Sequence, residues 1–140
     1  MNGCIFCAIL ADDEPASFVY RDDRCAAFMD LRPVNTGHVL VVPNDHAASL
    51  AELDPAVGGH LFVVGQRIAQ ALRESNVRCQ GINLLLADGP VAGQEVMHVH
   101  LHVIPRYRGD GFGLRFGPNY GRTLPRQELD ATAAQIRAHL

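Results

Sequence analysis

The sequence predicts an α+β domain: an antiparallel sheet of about five strands, a long amphipathic helix packed on it, and a C-terminal tail ending in a helix. Three observations lead there. Short strand-like runs bounded by Gly, Pro and Asp fall on both sides of one long helical stretch, three before it and two after. That stretch repeats its apolar residues with helical spacing, at Val57, Leu61, Val64, Ile68 and Leu72. Finally, 140 residues fit one domain, which buries roughly two-thirds of its unfolded surface around a single core without disulfide staples.

Taken in order, residues 4–10 predict a short helix. "ASFVYRDD" and "RCAAFMD" then read as two strands joined by a turn at residues 21–24, an antiparallel hairpin. "LRPVNTG" breaks the pattern with Pro33 and Gly37, and "HVLVVP" gives a β-branched strand whose unbroken apolar character implies cover on both faces. Asp54 as N-cap and Pro55 at the first helical position open the long helix, of about five turns. "GINLLLA" is a short apolar strand, "DGPVAGQ" a Gly/Pro loop, and "VMHVHLHVIP" a strand of clear alternation. Beyond Arg106 the chain is Gly-rich and irregular until Pro125, where "PRQELDATAAQIRAHL" predicts the terminal helix. With no internal repeat or linker, residues 1–112 read as the main domain and 113–140 as a tail belonging to the same globular unit.

Apolar residues make up 48% of the chain and charged residues 19%, which excludes global disorder. No apolar run reaches the ~18 residues that cross a bilayer, so no membrane partner is expected. The N-terminal "MNGCIFCAILADDEP" has no basic region ahead of its apolar run, which predicts a cytoplasmic protein without a secretory leader. A net charge of -3 with no basic block gives no reason to expect a nucleic-acid polymer, while leaving room for a small nucleotide. The chain contains no Lys, which excludes Schiff-base chemistry and a P-loop lysine. Its serines, Ser17, Ser49 and Ser75, lie outside any nucleophile elbow.

The chemistry concentrates in residues 94–106, "QEVMHVHLHVIPR". Strand side chains alternate, so His98, His100 and His102 share one face while Val99, Leu101 and Val103 share the other, which enters the core. At ~3.3 Å per residue, neighbouring histidines stand about 6.5 Å apart and the outer two roughly 13 Å. They are poorly placed to share one metal at ~2.0–2.1 Å per bond. A pH switch is disfavoured too, because adjacent imidazoles repel when charged and rest in the neutral, nucleophilic form. His60 and His139 stand alone and read as surface residues. Cys4 and Cys7 form a Cys-x-x-Cys pair, read as metal or redox before disulfide, with two thiols packed as small apolar groups as the alternative. Cys25 and Cys79 read as buried and inert.

The run His98-Val-His100-Leu-His102-Val-Ile resembles the signature of the histidine triad (HIT) family, with "AGQ" at 92–94 placed as in that family. "CIFCAI", "VYRDDRCAAFMDLRPVNTGHVLVVPNDH", "GINLLLADGPVAGQ" and "HVIPR" extend the resemblance to its bacterial, zinc-containing branch over most of residues 4–112. The resemblance implies a HIT-like fold, a homodimer without organic cofactor, and a nucleotidyl hydrolase or transferase acting on a purine nucleoside 5'-phosphate conjugate. Phosphoramidates and dinucleoside polyphosphates are the two substrate types implied. By the same resemblance His100 attacks the α-phosphorus, His102 contacts the phosphate and His38 orients or supports the site. Asp30 holds ribose hydroxyls, and Gln94, Gly93 and Asp88 join in binding the nucleotide and its phosphate. The residues themselves leave two readings open, His38 as a buried, satisfied histidine and Asp30 as a turn cap.

Two thiolates complete half of a tetrahedral zinc shell. Resemblance to the bacterial relatives, and to galactose-1-phosphate uridylyltransferases, supplies His46 and His98 as the rest, a closed structural Cys2His2 site that pins the N-terminal segment to the catalytic strand. Two positions depart from the family. Ala87 stands where an Asn or Gln amide is common, and Glu95 where some relatives carry Ser or Thr. Ala87 offers no side-chain hydrogen bond, which keeps open a nucleotide-binding module with little turnover.

Overall fold

β-Branched and small apolar residues in short runs pair along their backbones, and here five such runs form one antiparallel sheet. A computed structural model describes residues 3–140. Its strands are β1 (Phe18–Arg21), β2 (Cys25–Met29), β3 (Val39–Pro43), β4 (Gly81–Leu85) and β5 (Leu101–Arg106), in the order β1-β2-β3-β5-β4. The helices are α1 (Ile5–Leu10), α2 (Pro55–Glu74) and α3 (Arg126–Arg137). Each predicted element is present.

The chain divides into two compact units, Met1–Asp110 and Gly111–Leu140, a boundary two residues before the one read from the sequence. The first holds the sheet, α1 and α2. The second holds α3 and a stacked pair of rings, Phe116 on Tyr120, with centroids 3.8 Å apart.

Helix α2 begins where Asp54 accepts a hydrogen bond from Ala56 N and Pro55 presets the first turn. Its buried residues Leu61, Val64, Ile68 and Leu72 pack on Val39, Val41, Val99, Leu101 and Val103 of the sheet side. On the opposite face Leu40 and Val42 meet Phe6 and Ile9 of α1, together with Ala26 and Phe28. All five residues of β3 are buried because both of its faces are covered, as its unbroken apolar run implies.

The histidine segment departs from the expected strand. Pairing of β3 with β5 runs from Val39↔Val103 to Val41↔Leu101 and stops, so residues 98–100 precede the ladder instead of belonging to it. Pro43 has no N–H to donate, and Val99 N donates instead to Ala47 O at 2.8 Å. The side-chain alternation nevertheless holds, since Val99 lies with Leu101 and Val103 in the α2-side core.

Gly37, at φ +101°, closes the turn into β3 where a Cβ would sit 2.7 Å from Val77 Cγ1. Gly37→Ala combines backbone strain with overpacking and is expected to lower the unfolding free energy by about 2 to 4 kcal/mol. Urea unfolding measures this, and an unchanged midpoint would refute it.

Candidate active site and metal centre

His98, His100 and His102 share one face but enter three different surroundings. His98 and His100 are 0% and 6% exposed, and the ring of Phe6 from α1 meets both edge-on, with centroids 5.8 Å and 5.2 Å away. His100 and His102 lie 4.8 Å apart, ring centre to ring centre.

Hydrogen bonds to backbone groups of known polarity fix the tautomers. A carbonyl only accepts, so His100 donates from Nδ1 to His98 O at 2.7 Å, which leaves its Nε2 with the lone pair that a nucleophile needs. A backbone N–H only donates, so Val34 N at 3.0 Å makes His38 Nδ1 an acceptor and puts the proton on His38 Nε2. That Nε2–H donates to His102 Nδ1 at 2.9 Å, so neutral His102 carries its proton on Nε2. The result is a directed chain, Val34 to His38 to His102, ending in a donor. Beside the unprotonated Nε2 of His100, such a donor is suited to a charged phosphoryl oxygen.

Burial keeps this chain neutral. It pushes His38 below its ordinary value against the pull of Asp30, and it lowers His102 from 6.5 to about 4, helped by His100 and His38. The unfolded chain therefore binds a proton at His102 between about pH 4 and 6.5 that the folded chain refuses. This contribution is complete above pH 6.5 and is lost as pH falls toward 4. Urea unfolding is expected to show stability dropping from pH 7.5 to 5, more shallowly in His102→Gln. Equal slopes in the two proteins would refute this account.

The other expected nucleotide contacts are placed as follows. Asp30 follows β2; its Oδ1 accepts from Arg32 N at 2.8 Å and its Oδ2 lies 3.6 Å from His38 Nε2. It therefore caps a turn and also faces the histidine pair. Gln94 is buried, with Oε1 accepting from Gly89 N and Nε2 donating to Ala48 O and Val96 O, so its amide braces the 88–96 loop. Gly93, in the left-handed region at φ +98°, ends the short turn Pro90–Ala92 of that loop. Asp88 is exposed and accepts from Leu50 N at 3.0 Å.

On the far side of His98 lie the sulfurs of Cys4 at 3.4 Å and Cys7 at 3.6 Å from Nδ1, with His46 Nδ1 at 3.3 Å from Cys7 Sγ. The ligand atoms of Cys4, Cys7, His46 and His98 all fall within 4.8 Å of one another. His98 Nε2 donates to Pro43 O at 2.9 Å, which leaves the inward Nδ1 unprotonated, as a metal ligand must be. Two soft thiolates and two imidazoles suit a borderline-soft divalent ion, so the donor set fits a metal.

His60, read from the sequence as a surface residue, is half-buried. His60 donates to Asp22 at 2.6 Å, and Asp22 also accepts from Tyr20 Oη, Arg24 N and Cys25 N. Burial alone would push the Asp22 carboxyl up; these donors hold it well below the ordinary range. Cys25 is fully buried and pushed up to about 12 by burial and by Asp22, whereas Cys79 is half-buried. Sequence reasoning missed Phe6 and Val34, although Phe6 stands between the two cysteines and Val34 is four residues from His38.

A family model described as the HIT domain matches residues 11–109. A HIT family protein from Bacillus subtilis with a crystal structure is 36% identical, with a TM-score of 0.90 over 99% of this chain and 98% of its own. The crystal structure of a Zn-bound histidine triad family protein from Mycobacterium smegmatis is 39% identical, with a TM-score of 0.76 over 99% and 98% of the two chains. An adenylylsulfatase of Arabidopsis thaliana is 34% identical over 109 residues, 78% of this chain and 55% of its own length.

Proposed function

The chain belongs to the HIT family, and from that premise we propose that it cleaves a purine nucleoside 5'-phosphate conjugate at the α-phosphorus through a nucleotidyl intermediate on His100. The observation that carries this reading is the bond from His100 Nδ1 to His98 O, which aims an unprotonated Nε2 away from the backbone. In the first step a bond forms between Nε2 and phosphorus as the bond to the leaving group breaks, and the leaving group departs with that electron pair and takes up a proton from solvent. His102 Nε2–H stabilises the charge gathering on a non-bridging oxygen. In the second step water attacks phosphorus and releases a proton to solvent, the Nε2–P bond breaks with its electron pair returning to Nε2, and the nucleoside monophosphate leaves. Asp30 holds the ribose hydroxyls, and Gly93, Gln94 and Asp88 shape the phosphate loop.

The adenylylsulfatase relative supports a nucleotidyl substrate. The test is release of AMP from an adenosine phosphoramidate, followed by chromatography. No turnover despite tight AMP binding would favour the binding module that Ala87 leaves open. Comparing kcat/KM for the phosphoramidate and a diadenosine polyphosphate separates the two enzyme types.

We also propose zinc at Cys4, Cys7, His46 and His98, supported by the donor set and the Zn-bound relative. With four protein ligands the ion supplies a cross-link and takes no part in the reaction. We further propose a cytoplasmic homodimer. Its support is that β4 lies at the edge of the sheet and that Phe62, Val63 and Leu85 are exposed. Among the described residues no helix is long and apolar enough to cross a membrane. Sedimentation equilibrium showing a monomer at micromolar concentration would remove the dimer.

A further inference from the structure

The loop of residues 33–37 carries the N–H that starts the histidine chain, and it is held by groups distant in sequence. Asn35 is 7% exposed; its Nδ2 donates to Pro105 O at 2.9 Å and to Asp110 Oδ2 at 2.9 Å, and its backbone carbonyl accepts from His38 N at 3.1 Å. The Asp110 carboxylate is 3% exposed and is gripped side-on by Arg106, with Nε to Oδ2 at 2.6 Å and Nη2 to Oδ1 at 2.9 Å. Arg106 Nη1 continues to Asn83 Oδ1 of β4 at 2.6 Å.

Burying the Asp110 carboxylate beside the half-buried Arg106 guanidinium is costly, and a well-packed apolar pair would stabilise a loop as well or better. An ion pair differs in presenting a charged acceptor whose direction is fixed, and a charged acceptor strengthens the hydrogen bond it receives. Asn35 receives that direction on its side chain and passes it on through the adjoining peptide, whose neighbour is Val34 N–H.

We propose that Asn35 and Asp110 are positioning residues that act through Val34 and His38 to keep the phosphate-facing nitrogen of His102 a donor, an inference that rests on the role given to His102 above. If the loop turns, Val34 N leaves His38 Nδ1 and His38 is free to carry its proton there. Its Nε2 then presents a lone pair to His102, which must move its own proton to Nδ1. The phosphoryl oxygen would then face a second lone pair instead of a proton.

The test uses the full chain and two measurements. Nitrogen-15 imidazole spectra without substrate report each tautomer, and AMP release from adenosine phosphoramidate gives kcat and KM. Wild type is expected to show Nε2–H at both His38 and His102. Asn35→Ala, and the gentler Asp110→Asn, should shift both to mixed tautomers. In these variants kcat should fall by about 10- to 100-fold while KM changes less than about twofold. Asn83→Ala removes an acceptor of Arg106 without touching Asn35 and should change neither measurement. Wild-type imidazole spectra in a folded Asn35→Ala or Asp110→Asn protein would overturn the proposal, as would an Asn83→Ala protein that matches them. Shifted tautomers with no turnover even in wild type would uphold the positioning and remove the phosphoryl-transfer reading instead.

Discussion

His100→Ala is expected to lower kcat for AMP release by at least about 10,000-fold, the scale on which removing a covalent nucleophile acts. The imidazole is held at Nδ1 by His98 O and meets the Phe6 ring edge-on, and alanine at position 100 offers no nitrogen to attack phosphorus. His102 is the nearest alternative, but its Nδ1 already accepts from His38 and its Nε2 carries the proton. Binding should survive, because the proposed reading gives the ribose and phosphate contacts to other residues; the dissociation constant for AMP, by calorimetry, should change less than about fivefold. Rapid quenching of the wild type should also trap nucleotide bound covalently to the protein, and none should be trapped on the variant. A loss of less than about tenfold in kcat would show that His100 does not form the bond to phosphorus.

The second large effect concerns stability. Cys4→Ser is expected to bring metal content below about a tenth of an equivalent after zinc-replete expression, against about one in the wild type. An ion binding only the folded state at a thousand times its dissociation constant contributes about 4 kcal/mol. For a domain of this size the melting temperature should therefore fall by roughly 10 to 20 °C. Well below that temperature kcat should stay within about twofold, since the cross-link takes no part in bond making. Zinc-free wild type with an unchanged melting curve would eliminate the structural site.

The fold was legible because its signals are local and periodic. Val57, Leu61, Val64, Ile68 and Leu72 mark α2, and the unbroken "HVLVV" marks a strand covered twice. The beginning of β5 was not legible, because it depends on a proline about sixty residues earlier in the adjacent strand, and alternation continues through residues 98–100 although the ladder does not. Placing three histidines on one face needed only the period of a strand. Their separate surroundings come from Phe6, His38 and His46, which the periodicity of a single strand cannot reveal. Gln94 shows the same limit. Its residue type suits a phosphate contact, but its amide is engaged with Gly89, Ala48 and Val96.

His98 gives its side chain to the Cys4, Cys7 and His46 cluster and its backbone carbonyl to His100, the proposed nucleophile. These belong to different parts of the residue, so selection acts on them separately. Any amino acid at position 98 that keeps the local backbone still presents a carbonyl to residue 100, whereas the ring nitrogen is lost with the imidazole. A lineage could therefore abandon the proposed metal site, replacing its cross-link with packing, without relearning how to hold the imidazole at position 100. The reverse route, losing the reaction while retaining the metal as a scaffold, requires only a change at position 100.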